Sequence, residues 1–255
     1  LCDRCYEGMF YGCMSLTRAP ELPSTELADA CYQNMFDVCA SLTKAPELPA
    51  TTLAQDCYHG MFGDCMSLVD APALPATTLS RNCYSDMFTG CKVLTDAPEL
   101  PATELADYCY WTMFMDCVAL TNAPELPAST LREGCYSKMF KGCASLEKAP
   151  VLPATSLVKD CYESMFQRCT SLNYIEVGVM TLENDVNATT DWVSDVDGPG
   201  RFVFPCGSTY NEHGPSAIPT LFEVDYSRVV VVFQNPDNTV LERDSFDCGQ
   251  TLAFK

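Results

Sequence analysis

Apolar residues recur along the chain with a period of 26 residues, from Leu1 to about residue 177. Each copy contains the pattern Cys-Tyr-x-x-Met-Phe-x-x-Cys, which begins at Cys5 and is present seven times. The other half of the copy, typified by SLTKAPELPATT at residues 41–52, occurs six times and becomes SLNYIEVGVM, without proline, in the seventh copy. Self-similarity at such a period is typical of a repeat protein, in which each copy packs mainly against its neighbours.

The first half of the copy has the spacing of a helix. Leu53, Cys57 and Met61 fall at i, i+4 and i+8, which places them on one stripe of an α-helix. A hydroxyl residue two positions before the leucine could cap such a helix, because its oxygen accepts a bond from an otherwise unpaired backbone N–H. The residues at this position are Thr25, Thr51, Thr77, Thr103, Ser129 and Thr155. We therefore expect one short helix with a buried face in every copy.

The second half of the copy predicts a short strand that pairs with the equivalent segments of adjacent copies. We place it near residues 41–45, because Pro46 cannot donate to a sheet ladder. Parallel segments about 4.8 Å apart stack identical residues in register. The expected ladders run from Phe10 to Phe166, from Leu16 to Leu172 and from Pro23 to Pro153.

The charge of the chain excludes one class of partner. The formal net charge is −19, from 15 basic and 34 acidic residues. Acidic residues outnumber basic ones both in residues 1–156 and in the remainder, so neither part offers a basic surface to a phosphate backbone, and nucleic acid is not an expected partner. The longest apolar run, VVVVF at Val229, is far shorter than the roughly 20 residues of a membrane span.

Leu1 aligns with Leu27, Leu53 and Leu79 inside the repeat. We therefore expect the chain to begin within a copy. A signal for export would then lie upstream of it.

The 17 cysteines form two ladders of seven, together with Cys2, Cys206 and Cys248. On a continuous helix, Cys31 and Cys39 would lie about 12 Å apart, beyond the limit of about 7 Å for a disulfide. The distance between adjacent copies would permit disulfide bonds, but seven equivalent cysteines cannot all form pairs. Zinc needs four converging ligands, whereas a ladder spreads its thiols along a line. Buried free thiols are the favoured interpretation, and Cys206 with Cys248 is the first pair to test for a disulfide.

Positions that change from copy to copy are the candidates for ligand binding, because the constant ones build the scaffold. In the copy that starts at Leu27 they include Gln33, Asn34, Asp37, Val38 and Lys44. One line of such positions after the strand leucine holds Arg18, Lys44, Asp70, Asp96, Asn122 and Lys148. A second line, three residues further on, holds Glu21, Glu47, Ala73, Glu99, Glu125 and Val151. The alternative to ligand binding, for each of these charged residues, is that it forms part of a solvated face that keeps the protein soluble.

An aromatic pair interrupts two other variable lines. Tyr108 stands where other copies have Ala30, Asp56, Asn82 and Gly134, and Trp111 stands where they have Gln33, His59, Ser85 and Ser137. Aromatic residues at variable positions are candidate hot spots for binding. The acidic group of Asp185, Asp191, Asp195 and Asp197 lacks the ligand spacing of a calcium loop, so a polar loop is the expected structure and no metal or cofactor is expected.

The repeat pattern MFxxCxSLxxAPxLPATxLAxxCY resembles the 26-residue copies of BspA-like leucine-rich repeat surface proteins of gut and oral bacteria. The resemblance implies an α/β solenoid over residues 1–177, with short parallel strands on one face and short helices on the other. NATTDWVSDVDGPGRFVF resembles the segment that closes such arrays, which implies a β-containing C-terminal cap at 178–224. VVVVFQNPDNTVLERDSFDCGQTLAF resembles a β-grasp-like repeat, which implies a small β segment at 225–255.

The resemblance also implies a function. It favours a secreted or surface-anchored protein of a Bacteroides-like gut bacterium, which acts as an adhesin or protein-binding module for a host or bacterial surface protein. A glycan-binding component of a surface complex and a structural spacer that displays another domain are the alternatives. Enzyme activity is not expected, since no catalytic triad, phosphate loop or carboxylate pair stands at a position that the repeat leaves unexplained.

Overall fold

The computed structural model describes residues 1–182, 187–209 and 216–226, together with the backbone of two later strands. This part of the chain contains five strands: β1 (Tyr174–Glu176), β2 (Gly200–Val203), β3 (Phe222–Asp225), β4 (Val229–Gln234) and β5 (Val240–Phe246). β1, β2 and β3 form a parallel sheet in that order, while β4 pairs with β5 in antiparallel orientation. The division of the chain at residues 177 and 224 stays a prediction.

The predicted helices are wrong, since the described part of the chain contains no α-helix. Residues 29–38, for example, form successive turns in which Gln33 N–H donates to Ala30 O and Met35 N–H donates to Tyr32 O. The intervening amides donate to the next copy: Asn34 N–H bonds His59 O at 2.8 Å. Half of the amide groups therefore connect neighbouring copies, whereas a helix would use them within one copy. We call this array of turns, residues 2–14 and their equivalents, the turn ladder.

Every fourth residue of the turn ladder has a positive φ, as at Ala30 (54°), Asn34 (51°) and Val38 (61°). Glycine, asparagine and aspartate tolerate this conformation best. They occupy 13 of the 21 such positions in the seven copies. The spacing of four that resembled a helix is therefore the spacing of the turns.

Among the described residues, no helix is long and apolar enough to cross a membrane.

The hydroxyl residues predicted as N-caps do not begin helices. Thr77 is exposed, and its backbone carbonyl accepts bonds from Thr103 N–H and Glu104 N–H in the next copy. Parallel bridges join Glu26 to Thr52 and Thr78 to Glu104 on the same line. This segment therefore forms a second line of pairing between copies, and the prediction of an N-cap is wrong.

The predicted parallel pairing after the strand leucine is present with the expected register, but it is minimal. Single bridges join Lys44 to Asp70 and Lys148 to Tyr174. A proline two residues after the paired position limits pairing in copies one to six, since proline has no N–H to donate. The seventh copy has no proline there, and it forms β1, which pairs with β2 through Tyr174 and Arg201.

The core is a set of ladders of identical side chains. The rings of Phe62 and Phe88 stack with centroids 5.8 Å apart and planes 7° apart, and the tyrosine rings stack in the same way. The two cysteine ladders are buried from Cys31 to Cys169, and all fifteen cysteines within residues 1–182 are free thiols. The prediction of free ladder thiols is confirmed.

The thiols of the second cysteine ladder also make polar contacts. Cys91 Sγ donates to Phe62 O at 3.2 Å, and the same bond recurs from Cys39 to Cys169. A small apolar side chain with a weak donor suits a site beside a buried carbonyl. Cys206 is disulfide-bonded. Cys248 lies outside the described residues, so the pairing proposed for it stays a prediction.

The turn ladder continues once more beyond the seventh copy. Residues 187–196 repeat its backbone, with positive φ at Asn187, Asp191 and Asp195, and Phe166 N–H donates to Trp192 O. The apolar pattern Ala-Thr-x-x-Trp-Val-x-x-Val from Ala188 has the spacing of Cys-Tyr-x-x-Met-Phe-x-x-Cys. Trp192 is buried and ends the phenylalanine stack, tilted by 57° against Phe166. An eighth, divergent copy therefore covers the C-terminal side of the seventh.

Candidate functional site

The first predicted line of variable residues lies along the single bridges, and all six side chains are exposed: Arg18, Lys44, Asp70, Asp96, Asn122 and Lys148. Neighbours on this line contact each other. Asn122 Nδ2 donates to Asp96 Oδ1 at 2.7 Å, and Lys148 Nζ lies 5.0 Å from the centroid of the Tyr174 ring. Hydrogen bonds from Thr95 and Asn122 lower the pKa of Asp96. We call these six residues the charged line.

The second line, at Glu21, Glu47, Glu99 and Glu125, is exposed as well. These carboxylates follow the charged line three residues later in four copies. Together with Asp70 and Asp96 they make this side of the middle copies acidic. An acidic strip of this kind attracts a basic partner over a distance of about one Debye length, roughly 8 Å at physiological ionic strength.

A patch of exposed apolar side chains, which the sequence reasoning missed, lies at the corner between the turn ladder and the charged line. It consists of Met66, Val69, Val93 and Val118, with exposed fractions of 43%, 54%, 43% and 41%. The positions of Val69 and Val93 hold threonine or serine in most other copies. That loss of hydroxyl residues in copies three to five was the available signal. We call these four residues the corner patch.

The predicted aromatic pair lines an open groove of about 260 Å³ on the turn ladder. Its lining residues are His59, Asn82, Ser85, Tyr108 and Trp111. His59, Ser85 and Trp111 are equivalent residues of copies three, four and five, and Asn82 and Tyr108 are equivalent residues of copies four and five. Stacking in register therefore brings together side chains that are up to 52 residues apart in sequence. We call this site the aromatic groove.

Tyr108 is held in place by its neighbours. Its hydroxyl donates to Glu133 Oε1 at 2.6 Å, and Lys159 Nζ donates to the same oxygen at 2.6 Å. The Arg81 guanidinium lies 5.6 Å from the centroid of the Tyr108 ring. The bond to Glu133, with burial, raises the pKa of Tyr108, and the bonds from Lys159 and Tyr108 lower the pKa of Glu133. The aromatic wall of the groove is thus fixed before any ligand arrives.

A polar network supports the floor of the groove. The Ser85 hydroxyl donates to Asp86 Oδ2 at 3.2 Å, and Thr112 Oγ1 donates to Asp86 Oδ1. His59 Nδ1 lies 3.8 Å from Asp86 Oδ2 and is buried without a hydrogen-bond partner. Ser85 thus donates to a carboxylate and not to an imidazole, so this group does not form the nucleophile and base pair of covalent catalysis.

Several other variable positions have a structural explanation. Asn34 leans over Gly60 of the next copy, Asp64 over Gly90, and Asp116 over Gly142, so that an added Cβ would lie 2.1 to 2.2 Å from a side-chain oxygen. In these three pairs, the side chain of one copy fills the space that a Cβ would need in the next. Variation at Asn34 and Val38 follows from backbone conformation and neighbour contacts, and it is not by itself a sign of ligand binding.

The structure does not join the predicted site residues into one surface. Tyr108 and Trp111 lie in the aromatic groove, whose lining contains no member of the charged line. Among the described residues no group of three or more His, Cys, Asp or Glu side chains is arranged to hold a metal ion. Asp185, one of the acidic residues considered for calcium, lies outside the described residues.

No protein family matches this chain, and no curated protein does. Two solved structures are similar to it. The T. pallidum Leucine Rich Repeat protein (TpLRR) shares 18% identity over 75% of this chain and 73% of that protein, with a TM-score of 0.40. A leucine rich cell surface protein from Faecalibacterium prausnitzii shares 17% identity over 75% of this chain and 72% of its own, with a TM-score of 0.24. Both TM-scores are low, and neither similarity assigns this chain a function.

Proposed function

We propose that this chain is a protein-binding module of a bacterial cell surface, an adhesin whose ligand is a host or bacterial surface protein. The corner patch is the observation that carries the proposal. Four large apolar side chains are exposed there in three consecutive copies. Val69 and Val93 replace the hydroxyl residues of most other copies, and Lys92 stands at the position of Met66 and Val118 in the copy between them. Exposed apolar groups that cluster beside polar residues are typical of protein interaction sites.

The chemistry of the partner follows from the surroundings of the patch. Asp70 and Asp96 lie on the adjacent charged line, and the whole chain carries a formal charge of −19. An apolar centre with a charged rim is the usual arrangement of a protein interface. The partner should therefore present apolar side chains surrounded by lysine or arginine, and the charges should set mainly the association rate and the salt dependence.

A paired capture experiment tests the proposal. The patch variant carries Met66→Thr, Val69→Thr, Val93→Ser and Val118→Thr, which are residue types that other copies hold at the same positions. The control variant carries Met14→Thr, Met180→Thr and Leu221→Thr, which are equally exposed apolar residues outside the patch. Each protein is immobilised and exposed to extracts of host mucus, host matrix and bacterial surfaces, and the bound proteins are quantified by mass spectrometry.

The expected result is at least one protein that the wild type and the control variant retain and that the patch variant loses at least tenfold. Its retention should fall as salt is added, because the acidic rim contributes to encounter. Retention of the same proteins by wild type and patch variant would contradict the proposal. A spacer without a ligand, one of the alternatives, would retain nothing specific.

The glycan alternative has one observation in its favour, which is the aromatic groove. It is a separate site with a different lining from the corner patch.

A further inference from the structure

We propose that the aromatic groove binds one neutral hexose ring of an oligosaccharide, at a site distinct from the corner patch. The inference does not depend on the protein-binding proposal, because the two surfaces share no residue. The charge, the hydrogen-bonding groups, the size and the rigidity of the groove support such a ligand.

The lining of the groove favours an uncharged ligand. None of its five residues is Asp, Glu, Lys or Arg, although 49 of the 255 residues of the chain are. An acidic sugar would also meet the repulsion of a chain with a net charge of −19. A neutral ligand avoids this repulsion and needs no charged partner among the lining residues.

The polar groups of the groove match a ring that carries several hydroxyls. Asn82 offers an amide donor and acceptor, and His59 offers Nε2, whereas His59 Nδ1 is buried and Ser85 is buried and bonded to Asp86. Polar groups that a ligand covers without pairing cost roughly 1–3 kcal/mol each. A hexose has a hydroxyl on most of its carbons and can pair with both Asn82 and His59.

The aromatic residues match the other side of a sugar ring. Trp111 and Tyr108 are half-buried, and each leaves part of its ring open to the groove. The C–H groups of a pyranose ring form an apolar surface that packs on an aromatic face, whereas its hydroxyls point outward around the edge. An amphipathic wall of tryptophan and tyrosine beside amide and hydroxyl groups suits this division.

The size of the groove limits the ligand to one ring. Its volume of about 260 Å³ lies just below the range of roughly 300–1,000 Å³ that is usual for small-molecule pockets. The groove is open along the surface, so the rest of an oligosaccharide can extend beyond it. The groove thus suits a single unit of a longer glycan.

The rigidity of the groove lowers the cost of binding. Tyr108 is fixed by Glu133 and Arg81, and Ser85 is fully buried and bonded to Asp86. Side chains that are already immobile lose little conformational entropy when a ligand arrives. A weakly binding sugar benefits from this more than a large protein interface does.

The experiment uses the intact chain and the emission of its tryptophans. Trp192 is fully buried in the core, so a ligand in the groove changes the emission of Trp111 alone. The probes are soluble neutral oligosaccharides of glucose, galactose, mannose and N-acetylglucosamine, each titrated into the millimolar range. Oligosaccharides that contain uronic or sialic acid serve as the charged comparison.

Two variants keep the fold because they carry residues that other copies have at the same positions. Trp111→Ser restores the residue of Ser85 and Ser137, and Asn82→Gly introduces the residue of Gly134, which also tolerates the positive φ of Asn82. Calorimetry replaces fluorescence for the Trp111 variant. The patch variant described above is the matched control.

At least one neutral oligosaccharide should shift the emission of Trp111 with saturation, and the acidic ones should not. Each groove variant should weaken that binding at least tenfold, and the patch variant should leave it unchanged. Absence of binding by every neutral probe, or equal binding by the groove variants, would overturn the inference. Loss of captured protein in the Trp111→Ser variant without any sugar binding would assign the groove to the protein partner instead.

Discussion

The ring of Tyr108 lies directly over Gly134, where an added Cβ would be 2.3 Å from Tyr108 Cε1. Gly134 also has a φ of +57°. The aromatic residue of one copy is thus accommodated by glycine in the next, and the position of the groove wall depends on both residues.

Gly134→Ala should destabilise the protein by about 2–4 kcal/mol, since it combines a positive φ for alanine with a steric clash against Tyr108. In a chain that already carries Tyr108→Ala, the same change should cost only about 1 kcal/mol, because the clash is gone. Equilibrium denaturation of the four proteins of this cycle gives the coupling energy.

Gly12→Ala is the control for this cycle. Gly12 has a φ of +69°, but no atom lies within 4 Å of an added Cβ. Its substitution should therefore show the conformational cost alone. Equal costs at the two glycines, with additive effects of Tyr108→Ala and Gly134→Ala, would show that the ring does not lie where the structure places it.

The phenylalanine ladder should dominate stability. Phe88 is fully buried between Phe62 and Phe114, so Phe88→Ala should destabilise by about 3–5 kcal/mol. Phe10→Ala should cost clearly less, because Phe10 is only partly buried and stacks on one described neighbour. Thermal melting of the two variants tests this, and an unchanged melting curve for Phe88→Ala would refute the core position.

The thiols should divide into two classes by reactivity. Burial raises the pKa of Cys161 to about 11 and that of Cys65 and Cys169 to about 12, so these thiols carry little thiolate near pH 8. A thiol reagent should label Cys2, Cys5 and Cys13 of the folded protein quickly and the twelve buried ladder thiols only after unfolding.

Mass spectrometry of the labelled chain provides the measurement. Denatured but unreduced protein should take up at least fifteen labels, one for each free thiol within residues 1–182. A denatured, unreduced chain that took up only a few labels would mean that the ladder cysteines are paired. Rapid labelling of all ladder thiols in the folded protein would place them at the surface.

Asp37 should make stability depend on pH. Burial, together with the negative charge of Asp64, raises the pKa of Asp37 from 3.8 to about 6. The folded state therefore holds a proton more tightly than the unfolded state, so stability should fall as the pH rises from about 4 to about 6. Asp37→Asn should remove this loss and stabilise by about 1 kcal/mol at pH 7, a discounted figure for a half-exposed group.

Denaturant midpoints at pH 4 and pH 7 measure the effect of Asp37→Asn. The gain should be present at pH 7 and should largely vanish at pH 4, where Asp37 is protonated in the folded state. Glu47→Gln, at an exposed carboxylate, is the control and should change neither midpoint. An equal effect of Asp37→Asn at both pH values would rule out titration as its cause.

The packing of the copies was predictable because the period alone sets the register. Once Phe62 and Phe88 are 26 residues apart in stacked copies, their rings must lie above each other, and the same holds for Cys65 and Cys91. The single bridge at Lys44 was predictable for a similar reason, since Pro46 restricts any strand there.

The backbone conformation of the first half of each copy was not predicted, because a residue spacing of four fits a helix and a row of turns equally well. The distinguishing signal was present in Asn34, Gly60 and Asp64, which are residues that accept a positive φ. The groove was predictable only as the pair Tyr108 and Trp111. The contacts of Tyr108 with Glu133 and Arg81 depend on side-chain conformations that a spacing pattern does not determine.

The first half of every repeat has a backbone of turns bonded to the next copy, and not of helices. The positive φ values, the pairing of large residues with glycine and the aromatic groove all depend on it. Far-ultraviolet circular dichroism of the purified chain tests it most directly. The spectrum should lack the paired minima of an α-helix, and paired minima with the intensity expected for seven short helices would contradict the turn ladder.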